Sequence, residues 1–289
     1  MNRRKILEFY LSKLIKIGIP TFVFVFISCV LIYPRFIFDN KGVLIRLLTF
    51  TYNGIPGVDG IGAVWYISTI MQLYLISPLI IYIIEKGKKV IRGNYLWLVW
   101  SMVILIGLIG RYVMFKNNAD WHTQIYTPSI LNLDLFVSGI LTNYLPKPDI
   151  KRKVIVFFWI ILGIVLLCNC YIYSRESNLC YFIYQYIFPS IYAIVVNMLI
   201  YYAMNVSKVK TNKIAKIIDK GILKFSNISF QFYLWHSLIL STIYRCITPK
   251  GVLYTHLKLM GIAFILTFVM ASFFTQAFSV LLKPSYSRK

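Results

Sequence analysis

An all-α bundle of transmembrane helices is the fold class that these 289 residues predict, and three observations carry the prediction. Hydrophobic residues make up 59% of the chain and charged residues only 14%, with a mean hydropathy of +0.71; a soluble domain carries roughly a quarter charged residues. The apolar residues gather in about eight runs near the ~20 residues that a helix needs to cross the hydrocarbon core. The basic residues alternate between sides. With the N-terminus taken as cytoplasmic, 22 of the 31 Lys and Arg fall on cytoplasmic segments and nine on outer ones, as the positive-inside rule requires. About eight spans with both termini in the cytoplasm follow, since a missed or invented helix would scramble the alternation.

In chain order the runs are 17–35, 65–84, 95–114, 127–145, 154–173, 181–203, 227–247 and 256–281. The start, MNRRKILEFYLSKLIKIGIP, has basic residues before its apolar run and no small-residue cleavage signal after it, so it leads into an uncleaved first helix. The outer segment 36–64, with TYNGIPGVDGIG, is long and rich in turn formers; loops of this length tend to be functional or disordered, and this one could fold back over the bundle. The fourth run is the most polar and contains Asp134. The segment 205–227 sets Ile214, Ile217 and Ile218 on one stripe among Lys213, Lys216 and Lys220. It reads either as a short amphipathic helix on anionic headgroups or as a solvated loop.

Several function classes drop out. The net charge of +22 lies in short clusters between apolar runs rather than on a basic domain, so it reports topology and not nucleic-acid binding. Five cysteines, Cys29, Cys168, Cys170, Cys180 and Cys246, form no C-x-x-C pair, and neither a disulfide framework nor a metal site follows. G-x-S-x-G, H-E-x-x-H, P-loop and G-x-G-x-x-G motifs do not occur, which leaves soluble hydrolase, zinc protease, nucleotidase and dinucleotide chemistry without a motif.

A charge at mid-membrane costs roughly 2.5–3.5 kcal/mol on insertion scales, so ionisable residues inside spans need a reason. Three qualify: His236 near the middle of the seventh run, Asp134 in the fourth, and Arg111 toward the outer end of the third. Arg111 is expected to snorkel to the interface. Two readings stay open for His236, a neutral ring hydrogen-bonded to a neighbouring helix or a group that accepts a substrate proton. Phe232, Tyr233, Ile239 and Leu240 share its face. Asp134 is expected either buried with a partner, neutral with a raised pKa, or at a helix end. In the second run Trp65 and Tyr66 sit at the outer interface, where aromatic belts occur. Deeper in, Gln72 and Tyr74 are polar, and Pro78 frees the Tyr74 carbonyl, which then needs another donor.

Four segments, in order, resemble the acyltransferase 3 family of integral membrane acyltransferases: FYLSKLIKIGIP (Phe9–Pro20), VWYISTIMQLYLISPLI (Val64–Ile80), LDLFVSGIL (Leu133–Leu141) and ISFQFYLWHSLIL (Ile228–Leu240). The family includes O-acetylases and O-succinylases of bacterial surface polysaccharides. The resemblance implies a multi-pass protein of the bacterial cytoplasmic membrane. It would move an acetyl or succinyl group from cytoplasmic acyl-CoA to a hydroxyl of a surface or lipid-linked carbohydrate, with no bound cofactor or metal. On this reading Lys13 and Lys16 attract the anionic donor, Trp65, Gln72, Tyr74, Asp134 and Tyr233 line the substrate path, and His236 orients or supports the acceptor.

The sequence departs from the family pattern in three ways. Lys13 and Lys16 stand where the family has arginines, which loses the planar fork, and Gln72 stands where many members have a glutamate. The chain also starts at what resembles the end of the family's second helix, so the whole of 1–289 is expected to be one membrane domain that is N-terminally incomplete. A family histidine thought to be the principal base would then be absent. Two other readings remain open: a flippase for a lipid-linked glycan, and a non-catalytic partner of a complete acyltransferase.

Overall fold

The computed structural model describes residues 3–32, 35–58, 60–90, 95–146, 153–173, 177–205, 213–247 and 253–281, and among them there is no strand. The helices are α1 (Arg3–Lys13), α2 (Ile19–Phe26), α3 (Arg35–Asp39), α4 (Lys41–Leu48), α5 (Val64–Val90), α6 (Tyr95–Lys116), α7 (Leu133–Thr142), α8 (Lys153–Tyr173), α9 (Asn178–Phe182), α10 (Phe188–Asn205), α11 (Lys213–Cys246) and α12 (Leu253–Leu281). The protein is a helical membrane bundle. Five helical stretches are long and apolar enough to cross a bilayer: Arg3–Val30, Val64–Gly87, Tyr95–Lys116, Leu179–Met204 and Thr255–Leu281. They coincide with the first, second, third, sixth and eighth expected runs.

The fifth run, 154–173, lies on α8, a continuous helix of 21 residues. The fourth differs and appears as the shorter apolar stretch Ser129–Thr142. At 1.5 Å per residue it reaches only about 21 Å, short of the ~30 Å hydrocarbon core. Its start is delayed because Asn132 Nδ2 donates to the carbonyls of Tyr126 and Pro128 (2.8 and 2.9 Å), which holds the preceding backbone in a turn. The seventh run lies within α11, whose 34 residues are long enough but less apolar than the five. No break separates it from the basic segment before it: the expected short helix is the first part of α11. Of that segment, residues 206–212 lie outside the described residues.

Among the described residues π turns occur at Leu14–Gly18, Ile27–Ile32, Trp121–Tyr126 and Ile183–Ile187. The first and last of these precede a proline, Pro20 and Pro189, each two residues on. A proline cannot donate to the carbonyl four residues back, and a π register relieves the clash locally.

The chain divides into two compact units, one containing Gln72–Val209 with Met1, the other Asn2–Met71 and Lys210–Lys289. The central unit (72–209) packs α6, α7, α8 and α10 around Leu96, Trp100, Ile104, Leu141, Met198 and Tyr201. The Trp100 indole donates to the Ser138 carbonyl (3.2 Å), and Asn197 Nδ2 to Ser138 Oγ (3.0 Å). The terminal unit pairs α11 with α12 and packs α2 against α11. Trp235 stands at its centre, with Phe24 edge-on (5.1 Å) and Phe274 stacked (4.5 Å).

The 36–64 segment of the terminal unit does fold back. Leu47, Tyr52 and Ile61 are buried with Phe24 and Trp235 in one cluster. The loop is tied to α5 by two bonds, Tyr52 N–H to Ser68 Oγ (3.1 Å) and Asn53 Nδ2 to Thr69 Oγ1 (3.3 Å). It turns through Gly54 and Gly60, whose φ values of 72° and 78° only glycine adopts without strain. The Tyr52 hydroxyl accepts from the Val58 N–H (2.7 Å). Burial pushes this phenol above its ordinary pKa, with the Val58 bond opposing, so it stays neutral. Outward-facing Leu98, Ile106 and Ile109 on α6 and Leu257, Phe264 and Ile265 on α12 are exposed, as a lipid-facing surface requires.

Candidate active site

The terminal unit brings three of the expected site residues together. His236 lies on the half-buried side of α11, and its Nδ1 stands 2.6 Å from the Tyr233 carbonyl oxygen. A carbonyl only accepts, so Nδ1 carries the proton, and in that tautomer Nε2 is the accepting nitrogen. The Tyr233 ring is 5.4 Å from the imidazole. Its hydroxyl donates to the Ala63 carbonyl at the entry to α5 (2.7 Å). Tyr66 stands edge-on to Tyr233 at 5.3 Å and to Trp65 at 5.9 Å. The result is one row of rings, Trp65, Tyr66, Tyr233 and His236, running from the start of α5 to the middle of α11.

Sequence reasoning left Tyr66 at the membrane interface and out of the site. Its position directly beside Trp65 was the available signal. Phe232, expected on the face of His236, instead turns toward Phe264 of α12 at 5.3 Å. Ser229 donates to the Ser226 carbonyl of its own helix (2.8 Å).

Lys13 and Lys16 sit on the same unit's first helix, away from this row. Lys13 is half-buried with its ammonium 5.4 Å from the Phe9 ring centre, and Lys16 is exposed. Phe24, which touches Trp235, is eight residues beyond Lys16, or roughly 12 Å along a helix. The two lysines therefore lie more than a helical turn from the level of His236, at the end expected to face the cytoplasm.

The remaining expected residues belong to the central unit. Gln72 Oε1 accepts from Ser129 Oγ (2.5 Å), and Tyr74 meets the Phe136 ring edge-on at 6.0 Å. Pro78 does free the Tyr74 carbonyl, and the donor that replaces the missing N–H is the neighbouring Ser77 hydroxyl (2.9 Å).

Asp134 is buried in the first turn of α7 and has a partner. That partner corrects one expectation, because Arg111 does not snorkel. It is 2% exposed and grips Asp134 with its fork, Nη1 to Oδ1 at 3.1 Å and Nη2 to Oδ2 at 2.6 Å. Nη1 also donates to the Leu131 carbonyl (2.9 Å) and Nη2 to Ser190 Oγ (2.8 Å), so one guanidinium joins α6, α7 and α10. Arginine is suited to this because a planar fork meets a carboxylate with two parallel bonds. Gly107, one turn before Arg111, makes room: a Cβ there would lie 1.9 Å from Asp134 Oδ2. Opposite charges at matching depth in adjacent spans, with a glycine one turn away, were the signal for this pair.

Chemically the two places differ. The row around His236 offers a proton acceptor among aromatic faces, the arrangement of a site that handles a hydroxyl. The Arg111–Asp134 pair has both carboxylate oxygens engaged. Among the described residues no group of three or more His, Cys, Asp or Glu could hold a metal ion.

The family model described as an acyltransferase domain, Acyl_transf_3, matches residues 1–283. No curated protein and no solved structure matches the chain. A match over nearly the entire sequence, on an all-helical bundle with several membrane-crossing helices, means that the chain belongs to the acyltransferase 3 family of membrane-integral acyltransferases.

Proposed function

We propose that this protein transfers an acyl group, acetyl or succinyl, from acyl-CoA to a hydroxyl of a cell-surface or lipid-linked carbohydrate, in the cytoplasmic membrane of a bacterium. The observation that carries this reading is His236, whose Nδ1 stands on the Tyr233 carbonyl with the imidazole 5.4 Å from the Tyr233 ring, which leaves Nε2 as the nitrogen that can accept. Nε2 accepts a hydrogen bond from the acceptor hydroxyl and points its oxygen at the thioester carbon. The C–O bond forms as the C–S bond breaks; the hydroxyl loses its proton and the CoA thiolate gains one. The rings of Trp65, Tyr66 and Tyr233 provide faces for the C–H side of a sugar. Lys13 and Lys16, at the expected cytoplasmic end, draw in the polyanionic donor as mobile point charges rather than as a rigid grip. Gln72 and Tyr74 add polar groups along α5, and Asp134 enters as the anchor of Arg111.

The test is mass spectrometry of surface glycans from a deletion strain complemented with wild type, His236→Ala or His236→Gln. Loss of an acyl mass in the deletion and in His236→Ala is expected. Glutamine places an acceptor oxygen near the position of Nε2, so His236→Gln should retain part of the modification if the ring orients the hydroxyl. It should match His236→Ala if the ring takes the proton. Wild-type acylation in His236→Ala removes His236 from the chemistry, and disappearance of the whole glycan in the deletion points to a flippase instead.

A further inference from the structure

A series of hydrogen bonds, all within the terminal unit, leads from the fold-back loop to the imidazole of His236. It starts at Tyr52, which is 1% exposed and pinned to α5 by its own N–H on Ser68 Oγ (3.1 Å). The Tyr52 hydroxyl oxygen accepts from the Val58 N–H (2.7 Å). The Val58 carbonyl accepts from the Ile61 N–H (3.1 Å), and the Ile61 carbonyl from the Val64 N–H (3.0 Å), where α5 begins. The Ala63 carbonyl accepts twice, from the Tyr66 N–H (3.3 Å) and from the Tyr233 hydroxyl (2.7 Å). Tyr233 in turn takes the His236 Nδ1 proton on its own carbonyl (2.6 Å).

The Ala63 carbonyl and the Val64 N–H belong to one peptide group, and a peptide group is planar. The bond that fixes the N–H on Ile61 therefore also fixes where the carbonyl points. That oxygen binds two neighbours in the row of rings, for Tyr66 and Tyr233 stand edge-on at 5.3 Å. The loop that aims it is made of pliable chain. It turns through Gly54 and Gly60, both at positive φ, and glycine loses more conformational freedom on ordering than any other residue. The Tyr52 hydroxyl reaches across this loop to Val58, six residues on, and ties it shut. Its ring is packed in the same buried cluster as Trp235, the residue before His236, so the tie is made from a fixed point.

We infer that Tyr52 is a positioning residue for the His236 site: its hydroxyl shapes the 58–63 turn, the turn aims the Ala63 carbonyl, and that carbonyl sets the Tyr233 ring against the imidazole. The inference rests on the reading of His236 as the group that acts on the acceptor hydroxyl. A phenol suits the task because its ring is buried as an apolar body while its oxygen still serves a backbone group. Phenylalanine keeps the ring and lacks only the oxygen, so the tie can be cut at almost constant volume.

The experiment is nitrogen-15 NMR of the three histidines, His122, His236 and His256, in the full chain labelled at histidine and placed in lipid nanodiscs, with His236→Gln to identify its signals. In Tyr52→Phe the His236 ring signals should move while those of His122 and His256 stay. Tyr233→Phe, which removes the hydroxyl that Ala63 holds, should move the same signals, and adding Tyr52→Phe to it should add nothing. In cells, the rate of glycan acylation per molecule of membrane-inserted protein should fall about fivefold in Tyr52→Phe, the worth of one ordinary hydrogen bond. A merely structural role would lower the amount of inserted protein and leave that rate alone. Unmoved His236 signals in Tyr52→Phe, an equal shift in the wild-type and Tyr233→Phe backgrounds, or slower acylation with an unchanged imidazole would overturn the inference. A wild type that acylates no glycan removes the reading of the reaction instead, and the NMR still decides whether Tyr52 positions His236.

Discussion

In the central unit Arg111 and Asp134 engage each other on both carboxylate oxygens, with Ser190 and the Leu131 carbonyl taking further guanidinium protons. In the terminal unit His236 satisfies one ring nitrogen on its own helix and leaves the other open. Both places put an ionisable group into a membrane bundle, but the first spends its charge on an opposite charge and the second does not. A buried charge paired with a carboxylate is part of the architecture, because removing either partner strands the other. A half-satisfied imidazole costs little to lose and is free to act on a substrate.

Breaking the buried ion pair should have the largest effect on stability. Asp134→Ala leaves Arg111 buried and uncompensated, and about 3–5 kcal/mol of destabilisation is expected, read as a lower thermal midpoint and poorer yield of the protein in detergent. Gly107→Ala attacks the same pair from the other side, since the added methyl would overlap the Asp134 carboxylate. Overpacking of this kind costs about 1–3 kcal/mol. Its cost should shrink when combined with Asp134→Ala, and full additivity in that double mutant would show that the glycine serves something other than the carboxylate.

A smaller loss is expected in α5. Ser77→Ala removes the hydroxyl that donates to the Tyr74 carbonyl freed by Pro78, a loss of about 1 kcal/mol. In a Pro78→Ala background the backbone N–H returns and the same substitution should be nearly silent. Equal unfolding shifts in both backgrounds would mean that the serine acts elsewhere. The smallest change in stability belongs to His236→Ala, at about 1 kcal/mol or less, together with the loss of glycan acylation. A thermal midpoint lowered as far as in Asp134→Ala would erase the contrast between the two units and make His236 a packing residue.

Much of this was legible along the chain. The helical class, five of the crossing helices and the fold-back of 36–64 follow from composition, run length and turn residues, properties that a linear pattern carries. Pro78 announced a freed carbonyl before any contact was known. The identity of the donor did not follow, because Ser77 could equally have faced lipid. Arg111 was misread for a related reason: an arginine near a helix end has water within reach on a lone helix, and only a neighbouring carboxylate and a glycine slot make burial the better choice. The row of rings was half visible, with Tyr233 and His236 three residues apart on one helix and Tyr66 assigned to the interface on another. The series of bonds from Tyr52 to His236 was not visible at all, since it crosses from Ala63 to Tyr233, 170 residues apart along the chain.

By itself, then, the sequence determined that this chain lives in a bilayer as helices, because hydrophobic length and charge alternation act residue by residue against the membrane. Which polar groups are spent on one another and which stay available was decided by tertiary structure. A hydrogen bond needs two atoms within about 3 Å, and partners 23 residues apart, as Arg111 and Asp134 are, meet only when the helices have packed.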